Sequence, residues 1–213
     1  MAGAKESAAT VYVVDDDPGV LESVRWLLES VDLSVRTFED PHAFLAAFDD
    51  HKPACLLLDI RMPGMSGLDL QDWLQEVGAT VPVVFLTAHG DVPLAVRAMK
   101  SGALEFIEKP YNAHQLIETV QHAIDIHRQQ QVAGAWRDRL RRRMERLTPR
   151  EWEVARLVVD GLSSKAIAAK LGLSPKTVEV HRGRVMTKMG AKSSPELVQM
   201  IYEAGSDVLN GSS

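Results

Sequence analysis

The sequence predicts an α/β domain with a doubly wound, five-stranded sheet, followed through a helical linker by an all-α domain of four short helices. Three observations predict it. Over the first part of the chain, apolar runs rich in Val, Leu and Phe alternate five times with segments of helical period. Two of the runs, "CLLLD" and "PVVFLT", are apolar without alternation, as parallel strands covered on both faces are. From Leu147 onward only helical periods remain, separated by glycine-containing turns.

In chain order, strands are expected near 10–14, 33–38, 54–58, 82–87 and 103–108, and helices near 18–30, 41–49, 67–77, 92–101 and 112–130. The first helix shows a buried face in Val20, Val24, Leu27, Leu28 and Val31, at i, i+4, i+7, i+8 and i+11. Asp17 ahead of Pro18 has the sequence of an N-cap with proline at the first helical position. The fifth helix runs on through "HQLIETVQHAIDIHRQQQVAGAWRDRLRRRMER", where Leu116, Val120, Ala123 and His127 mark one face and apolar positions thin out after Ile126. These patterns place a first domain at 9–128 and a helical linker at 129–146, with Gly134 a point of interruption. A second domain follows at 147–206, with helices near 149–159, 163–171, 175–189 and 194–204. Thr148-Pro149 with Glu151 forms a capping box, and Ser174-Pro175 repeats the cap-and-proline start. Short helices with a tight glycine turn between the second and third suit a helix-turn-helix. Residues 1–8 and 207–213 are small and polar, and are expected to be flexible tails.

With 46% hydrophobic and 25% charged residues, the chain of 213 residues reads as globular rather than disordered. Its opening, "MAGAKESAAT", has no apolar signal-peptide core, and no apolar run approaches the ~18 residues that span a bilayer. The expectation is a cytoplasmic protein with no membrane partner. The single cysteine, Cys55, lies inside "ACLLLD", where a small buried hydrophobe is expected and no disulfide partner exists. The net charge of −5 divides unevenly. Residues 1–136 carry 9 Lys+Arg against 20 Asp+Glu, whereas residues 137–213 carry 15 against 9. Such asymmetry joins an acidic module to one that meets a polyanion.

In doubly wound sheets ligands bind beyond the carboxyl ends of the strands, where the topology reverses. Asp15 and Asp16 follow the first strand, Asp59 follows the third in "LLLDIRMPGMSG", Thr87 ends the fourth in "VVFLTAHGD", and Lys109 follows the fifth in "FIEKP". Converging carboxylates repel one another, and either protonation or a hard cation relieves them; Mg²⁺ needs only one or two carboxylates plus a phosphate. An aspartate beside such a cation can attack a phosphoryl donor, with a lysine and a hydroxyl group neutralising the equatorial oxygens.

The segments "VVDDDP", "LLLDIRMPGMSG", "FLTAHGD" and "EFIEKPY" resemble the receiver domain of two-component response regulators, in order and spacing from residue 10 to about 125. The resemblance implies a five-stranded, flavodoxin-like receiver in which Asp59 is the phospho-acceptor. It implies Mg²⁺ held by Asp16, Asp59 and the backbone carbonyl of Arg61, with Asp15 acting through water. Thr87 and Lys109 would bind the phosphoryl group, Phe106 would be the aromatic switch, and Lys109-Pro110 would be cis. Arg61 and His89, each two residues beyond a pocket residue, stand where receivers tune access of the hydrolytic water; an exposed loop side chain is the alternative for both. Pro63 and Gly67 are read as shaping the loop. The rival reading is a Mg²⁺-dependent phosphohydrolase with an aspartyl nucleophile. Such enzymes place a second acid two residues after the nucleophile, where this chain has Arg61.

The segment "LTPREWEVARLVVDGLSSKAIAAKLGLSPKTVEVHRGRVMTKMGAKSSPELV" resembles the LuxR-type DNA-binding domain from residue 147 to about 204. Receiver, linker and LuxR-type helix-turn-helix in that order are the NarL/FixJ class, and "KTVEVHRGRVMTKM" is most similar to the FixJ branch. A helix from Pro175 can place its first turns in the major groove. Lys165, Lys176, Arg184 and Lys188 are expected on phosphates, and Thr177, Val180 and Arg182 on base edges, with Ser174 among the DNA-facing residues. Val178, Val185, Met186 and Met189 have the spacing of core residues. Glu179 either accepts from a cytosine amino group or holds a neighbouring lysine, and the second is preferred.

The resemblance therefore implies a transcription regulator, not an enzyme. It implies that a sensor histidine kinase phosphorylates Asp59 in a Mg²⁺-dependent step and that the surface bearing Val92, Val96, Met99 and Leu104 rearranges, either releasing the DNA-binding module or allowing dimerisation. The phosphorylated protein is expected to form a homodimer on double-stranded promoter DNA, with RNA polymerase as a further partner. The alternative is a phosphate-independent dimerisation scaffold, against which the complete acidic set argues.

Overall fold

The structure, a computed structural model, describes residues 9–50, 52–88 and 92–205. The chain divides into two compact units, Met1–Gln131 and Val132–Ser213. The tails expected at 1–8 and 207–213, and His89, lie outside the described residues.

In the first unit, strands β1 (Thr10–Val14), β2 (Ser34–Phe38), β3 (Ala54–Leu58), β4 (Val83–Thr87) and β5 (Glu105–Glu108) pair in parallel in the order β2-β1-β3-β4-β5. Helices α1 (Pro18–Glu29), α2 (Pro41–Ala47), α3 (Gly67–Glu76), α4 (Val92–Lys100) and α5 (Ala113–Met144) alternate with them. Every residue of β3 and β4 is buried, which explains the unbroken apolar runs. Successive side chains go to opposite faces. Leu56, Leu58 and Phe85 join Phe44 of α2 and Leu70 of α3 in one core, while Leu57, Val84 and Leu86 join Leu28 of α1 and Leu116 and Val120 of α5 in the other. Cys55 is fully buried, and burial pushes its thiol up, so it behaves as an inert small hydrophobe.

The buried side of α1 is Leu21, Val24 and Leu28, with Val20 and Leu27 only partly covered, so the packed face lies slightly to one side of the expected stripe. Asp17 caps α1, its Oδ1 accepting from the backbone N–H of Gly19 (2.8 Å) and Val20 (3.4 Å). His127, within the apolar stripe of α5, is fully buried. Its Nδ1 accepts from the Ala54 N–H at 2.9 Å, so this polar ring fastens α5 to the start of β3.

The second unit holds the end of α5 and helices α6 (Pro149–Val159), α7 (Ser164–Leu171), α8 (Pro175–Met189) and α9 (Ser194–Glu203). Thr148 and Glu151 form the expected capping box, and Ser163, Ser174 and Ser193 cap the other three helices. Two features depart from the sequence reading. Helix α5 runs through Gly134 without interruption, and Leu140 and Met144 are buried with Val154, Val178, Met189 and Ile201. Two apolar side chains four apart are enough to anchor one helical turn, even in a run of arginines. Among the described residues no helix is long and apolar enough to cross a membrane.

Candidate functional site

The strand order reverses between β1 and β3, and their register pairs Val14 with Leu58. The next residues, Asp15 and Asp59, therefore emerge side by side at the switch point. The Asp59 N–H donates to the Val14 carbonyl at 2.9 Å, which fixes the two backbones together. Both carboxylates are buried, at 3% and 6% exposure. Between them stands the Lys109 ammonium, 2.5 Å from Asp15 Oδ2 and 3.1 Å from Asp59 Oδ1. The remaining oxygens accept from backbone: Asp15 Oδ1 from Asp17 N–H (3.0 Å) and Asp59 Oδ2 from Arg61 N–H (2.7 Å).

Burial raises the Asp15 carboxyl above the ordinary aspartate range, assisted by the charge of Asp59 and opposed by Lys109 and the Asp17 N–H. Burial also works against the Lys109 charge, but its hydrogen bond to Asp15 and the two carboxylate charges outweigh it and hold the ammonium protonated. One ammonium facing two carboxylates leaves an excess of negative charge in a largely dry site.

Thr87 is fully buried at the end of β4, and its carbonyl accepts from Lys109 N–H at 2.8 Å, so β4 and β5 deliver both residues to the same edge. Lys109-Pro110 is cis. Phe106 is half-buried and packs on Phe85 with ring centroids 6.4 Å apart. Asp16 is exposed and lines an open depression with Arg61, Met62 and Arg97. The Arg61 side chain is exposed.

Gly67 matters more directly than loop shaping suggests. A Cβ there would lie 2.0 Å from the Asp59 carbonyl oxygen, so only hydrogen fits between the start of α3 and the Asp59 backbone. Missing from the predicted set is Ser66, which caps α3 in a reciprocal box with Asp69 and fixes the far end of the Asp59 loop. The S-x-x-D spacing is the signal that marks it.

Among the described residues no three His, Cys, Asp or Glu side chains are gathered into a metal cage. The donor chemistry nevertheless fits a hard divalent cation. All available ligands are oxygens, the carboxylates outnumber the ammonium, and Asp16 adds a further carboxylate at the rim.

In the second unit, α8 presents Lys176, Glu179, Val180 and Arg184 to solvent, and Lys165 of α7 is also exposed. Val180, 49% exposed, is a large apolar side chain left in water on this surface. Ser174 Oγ accepts from the Thr177 N–H and lies 2.8 Å from the Thr177 hydroxyl, so both residues are ordered at the first turn. Val178, Val185 and Met189 are buried and Met186 partly so, as their spacing predicts.

Two expected contacts are engaged elsewhere. Arg182 donates to Ser164 Oγ (3.0 Å) and Ser194 Oγ (2.9 Å), tying the starts of α7 and α9 to α8 rather than offering its fork to a base. Lys188 donates to Glu151 Oε2 (2.5 Å) and to the Arg146 carbonyl (2.9 Å), and so serves the fold rather than a phosphate. Glu179 makes no ion pair among the described residues, so it does not hold a lysine as preferred above.

Comparison with known proteins finds a match for each half of the chain. The model for the response regulator receiver domain matches residues 11–121, and that for bacterial regulatory proteins of the luxR family matches residues 145–201. The transcriptional regulatory protein FixJ of Azorhizobium caulinodans is 45% identical over 195 residues, spanning 92% of this chain and 92% of its own length. The transcriptional regulatory protein TdiR of Thauera aromatica is 41% identical over 200 residues, spanning 94% and 88%. The solved structure of the response regulator StyR superposes with a TM-score of 0.82 at 40% identity, over 92% of this chain and 99% of that one. With these matches, the chain belongs to the two-component response regulators that join a receiver domain to a LuxR-type DNA-binding domain.

Proposed function

We propose that Asp59 accepts a phosphoryl group from a sensor histidine kinase, and that the phosphorylated protein dimerises and binds double-stranded promoter DNA through α8. The observation that carries the first step is the Asp15–Lys109–Asp59 arrangement at the carboxyl ends of β1, β5 and β3. A carboxylate oxygen of Asp59 forms the new P–O bond as the bond from phosphorus to the kinase's histidine nitrogen breaks, and the histidine, protonated on its other ring nitrogen, leaves as the neutral imidazole. Lys109 shifts its ammonium onto a phosphoryl oxygen, and the Thr87 hydroxyl donates to another. Asp16, Asp59, the Arg61 carbonyl and, through water, Asp15 would hold Mg²⁺, which when bound supplies positive charge against the phosphoryl oxygens.

Phosphorylation turns the singly charged Asp59 carboxylate into an acyl phosphate carrying roughly −1.5 to −2, a net gain of about one negative charge at most. Movement of Thr87 and Lys109 toward it vacates room beside β4, into which the Phe106 ring, packed on Phe85, turns. Helix α4 carries an apolar stripe in water, Val92 (76% exposed), Val96 and Met99, next to the partly covered Leu104. This stripe supports a homodimer contact whose burial the phosphorylated state favours. The exposed Arg61 stands where it can set the approach of water to the phosphoryl group. On α7 and α8, Lys165, Lys176 and Arg184 meet phosphates while Thr177 and Val180 face base edges, with Ser174 ordering the first turn. The protein works in the cytoplasm, with RNA polymerase as its downstream partner.

Incubation with acetyl phosphate and Mg²⁺ tests this reading. Wild type is expected to gain one phosphoryl group and to bind a selected duplex more tightly, and Asp59→Asn to do neither. Labelling that persisted in Asp59→Asn would overturn the assignment, and equal DNA affinity with and without phosphodonor would favour a phosphate-independent scaffold.

A further inference from the structure

The stretch from Arg137 to Arg146 carries six arginines and reads as a solvated linker face. Two of them are engaged otherwise. Arg141 Nε donates at 3.1 Å to the carbonyl of Ala204, the C-cap of α9. Arg143 Nη1 donates at 2.7 Å to the carbonyl of Met189, the last residue of α8. The terminal carbonyls of a helix lack intrahelical donors and carry the negative end of its dipole, so a guanidinium satisfies both needs at once.

The contact at α8 is reciprocal. Lys188, one residue before the end of α8, donates to the carbonyl of Arg146, just beyond the end of α5. Each helix end thus supplies a cation to a carbonyl at or just past the other's last turn. The Arg143 guanidinium also lies over Gly190, where a Cβ would come within 3.0 Å of Nη1. Leu140 and Met144, buried on the same stretch of α5, hold the arginine in place.

We propose that Arg143 is a positioning residue for DNA recognition, fixing the C-terminal end of α8 so that its first turns meet the groove at a set angle, without touching DNA itself. The proposal rests on α8 being the DNA-facing helix. Its leverage comes from length. The 15 residues of α8 span about 22 Å, and pivoting by about 5° at the Met189 end moves Lys176 and Thr177 by about 2 Å. Hydrogen bonds to base edges do not survive a displacement of that size.

The test uses the full chain, phosphorylated with acetyl phosphate and Mg²⁺, and a duplex that the wild type selects from a random pool. Affinity is measured between about 50 and 200 mM salt, where phosphate contacts reveal themselves in the slope. Arg143→Ala is expected to weaken binding about tenfold at every salt concentration with an unchanged slope, and Arg143→Lys to restore part of the loss. Backbone amides at Gly190 and Ala191 should exchange faster in Arg143→Ala. Unchanged affinity in Arg143→Ala would overturn the proposal, as would a slope reduced by about one, which identifies a phosphate contact. Should the wild type select no duplex, the DNA reading falls and this role with it, while unchanged exchange at Gly190 with DNA binding intact removes the cap alone.

Discussion

Glu151→Gln probes the polar contact that holds α8 against α6. The Glu151 side chain is 3% exposed, and its Oε2 accepts from the Lys188 ammonium at 2.5 Å and from the Thr148 N–H at 2.8 Å. The hydrogen bond from Lys188, then that from Thr148, bring its pKa from 4.5 down to about 2. At about 1.4 kcal/mol for each factor of ten, such a drop corresponds to roughly 3 kcal/mol of stability at most. Lys188 is one-third exposed, and solvent screening reduces the figure to about 2 kcal/mol, within the range of a hydrogen bond to a charged group. Glutamine keeps an oxygen for Thr148 but offers Lys188 no charge. With a urea slope of about 1–1.5 kcal/mol/M for a unit of this size, the midpoint should fall by about 1.5 M.

The assay is urea unfolding of the second unit, followed through Trp152, which packs against its core. The pH dependence supplies the sharper check. A carboxyl whose folded pKa is depressed contributes stability that is present above its unfolded pKa of 4.5 and is lost as pH falls through about 2. The difference between wild type and Glu151→Gln should therefore be full at pH 7 and shrink to nothing in strong acid. Equal midpoints at pH 7, or a gap that acid does not close, would show that the charged Glu151–Lys188 contact contributes nothing to stability.

Gly67→Ala puts a methyl group 2.0 Å from the Asp59 carbonyl oxygen, so phosphorylation by acetyl phosphate should slow at least ~10-fold and stability should drop by about 1–3 kcal/mol; a wild-type labelling rate by mass spectrometry would contradict this. Lys176→Ala should lower the salt slope of DNA binding by about one and leave stability unchanged, whereas Arg182→Ala should leave the slope and cost about 1–3 kcal/mol of stability in urea titrations. Burial depresses the pKa of His127 despite the Asp50 charge nearby, so its contribution is full above the unfolded value of 6.5 and declines as pH falls below it. His127→Gln should flatten the acid limb of first-unit stability between pH 7 and 5, seen in unfolding midpoints; an unchanged limb would show that the ring does not titrate there.

Most of the first unit was legible because its central strands β3 and β4 are buried on both faces. The short run "ACLLL", bounded by Pro53 and Asp59, fits a central strand, and the residues just past each such run gather at one edge of the sheet. That logic reached Asp15, Asp59, Thr87 and Lys109 from spacing and resemblance together. Asp17 was legible too, since aspartate followed by proline fits a helix start whatever surrounds it. The closeness of Gly67 to Asp59 was not, because a glycine in "MPGMSG" has the same sequence whether it bends the loop or makes room for a backbone.

The amino-acid pattern alone carries the element order, the caps at Asp17, Thr148 and Ser174, and the residues that meet at the carboxyl end of the sheet. These depend on local period and on turn chemistry, both of which are properties of neighbouring residues. Tertiary structure decided which charges face outward. Lys176 and Lys188 lie on one helix and Arg142 and Arg143 are adjacent, yet one of each pair is exposed while the other is bound to a helix terminus or a buried carboxylate. A long cationic side chain takes the nearest uncompensated carbonyl or carboxylate. Which one is nearest depends on how helices distant in sequence pack, and no local pattern encodes that distance.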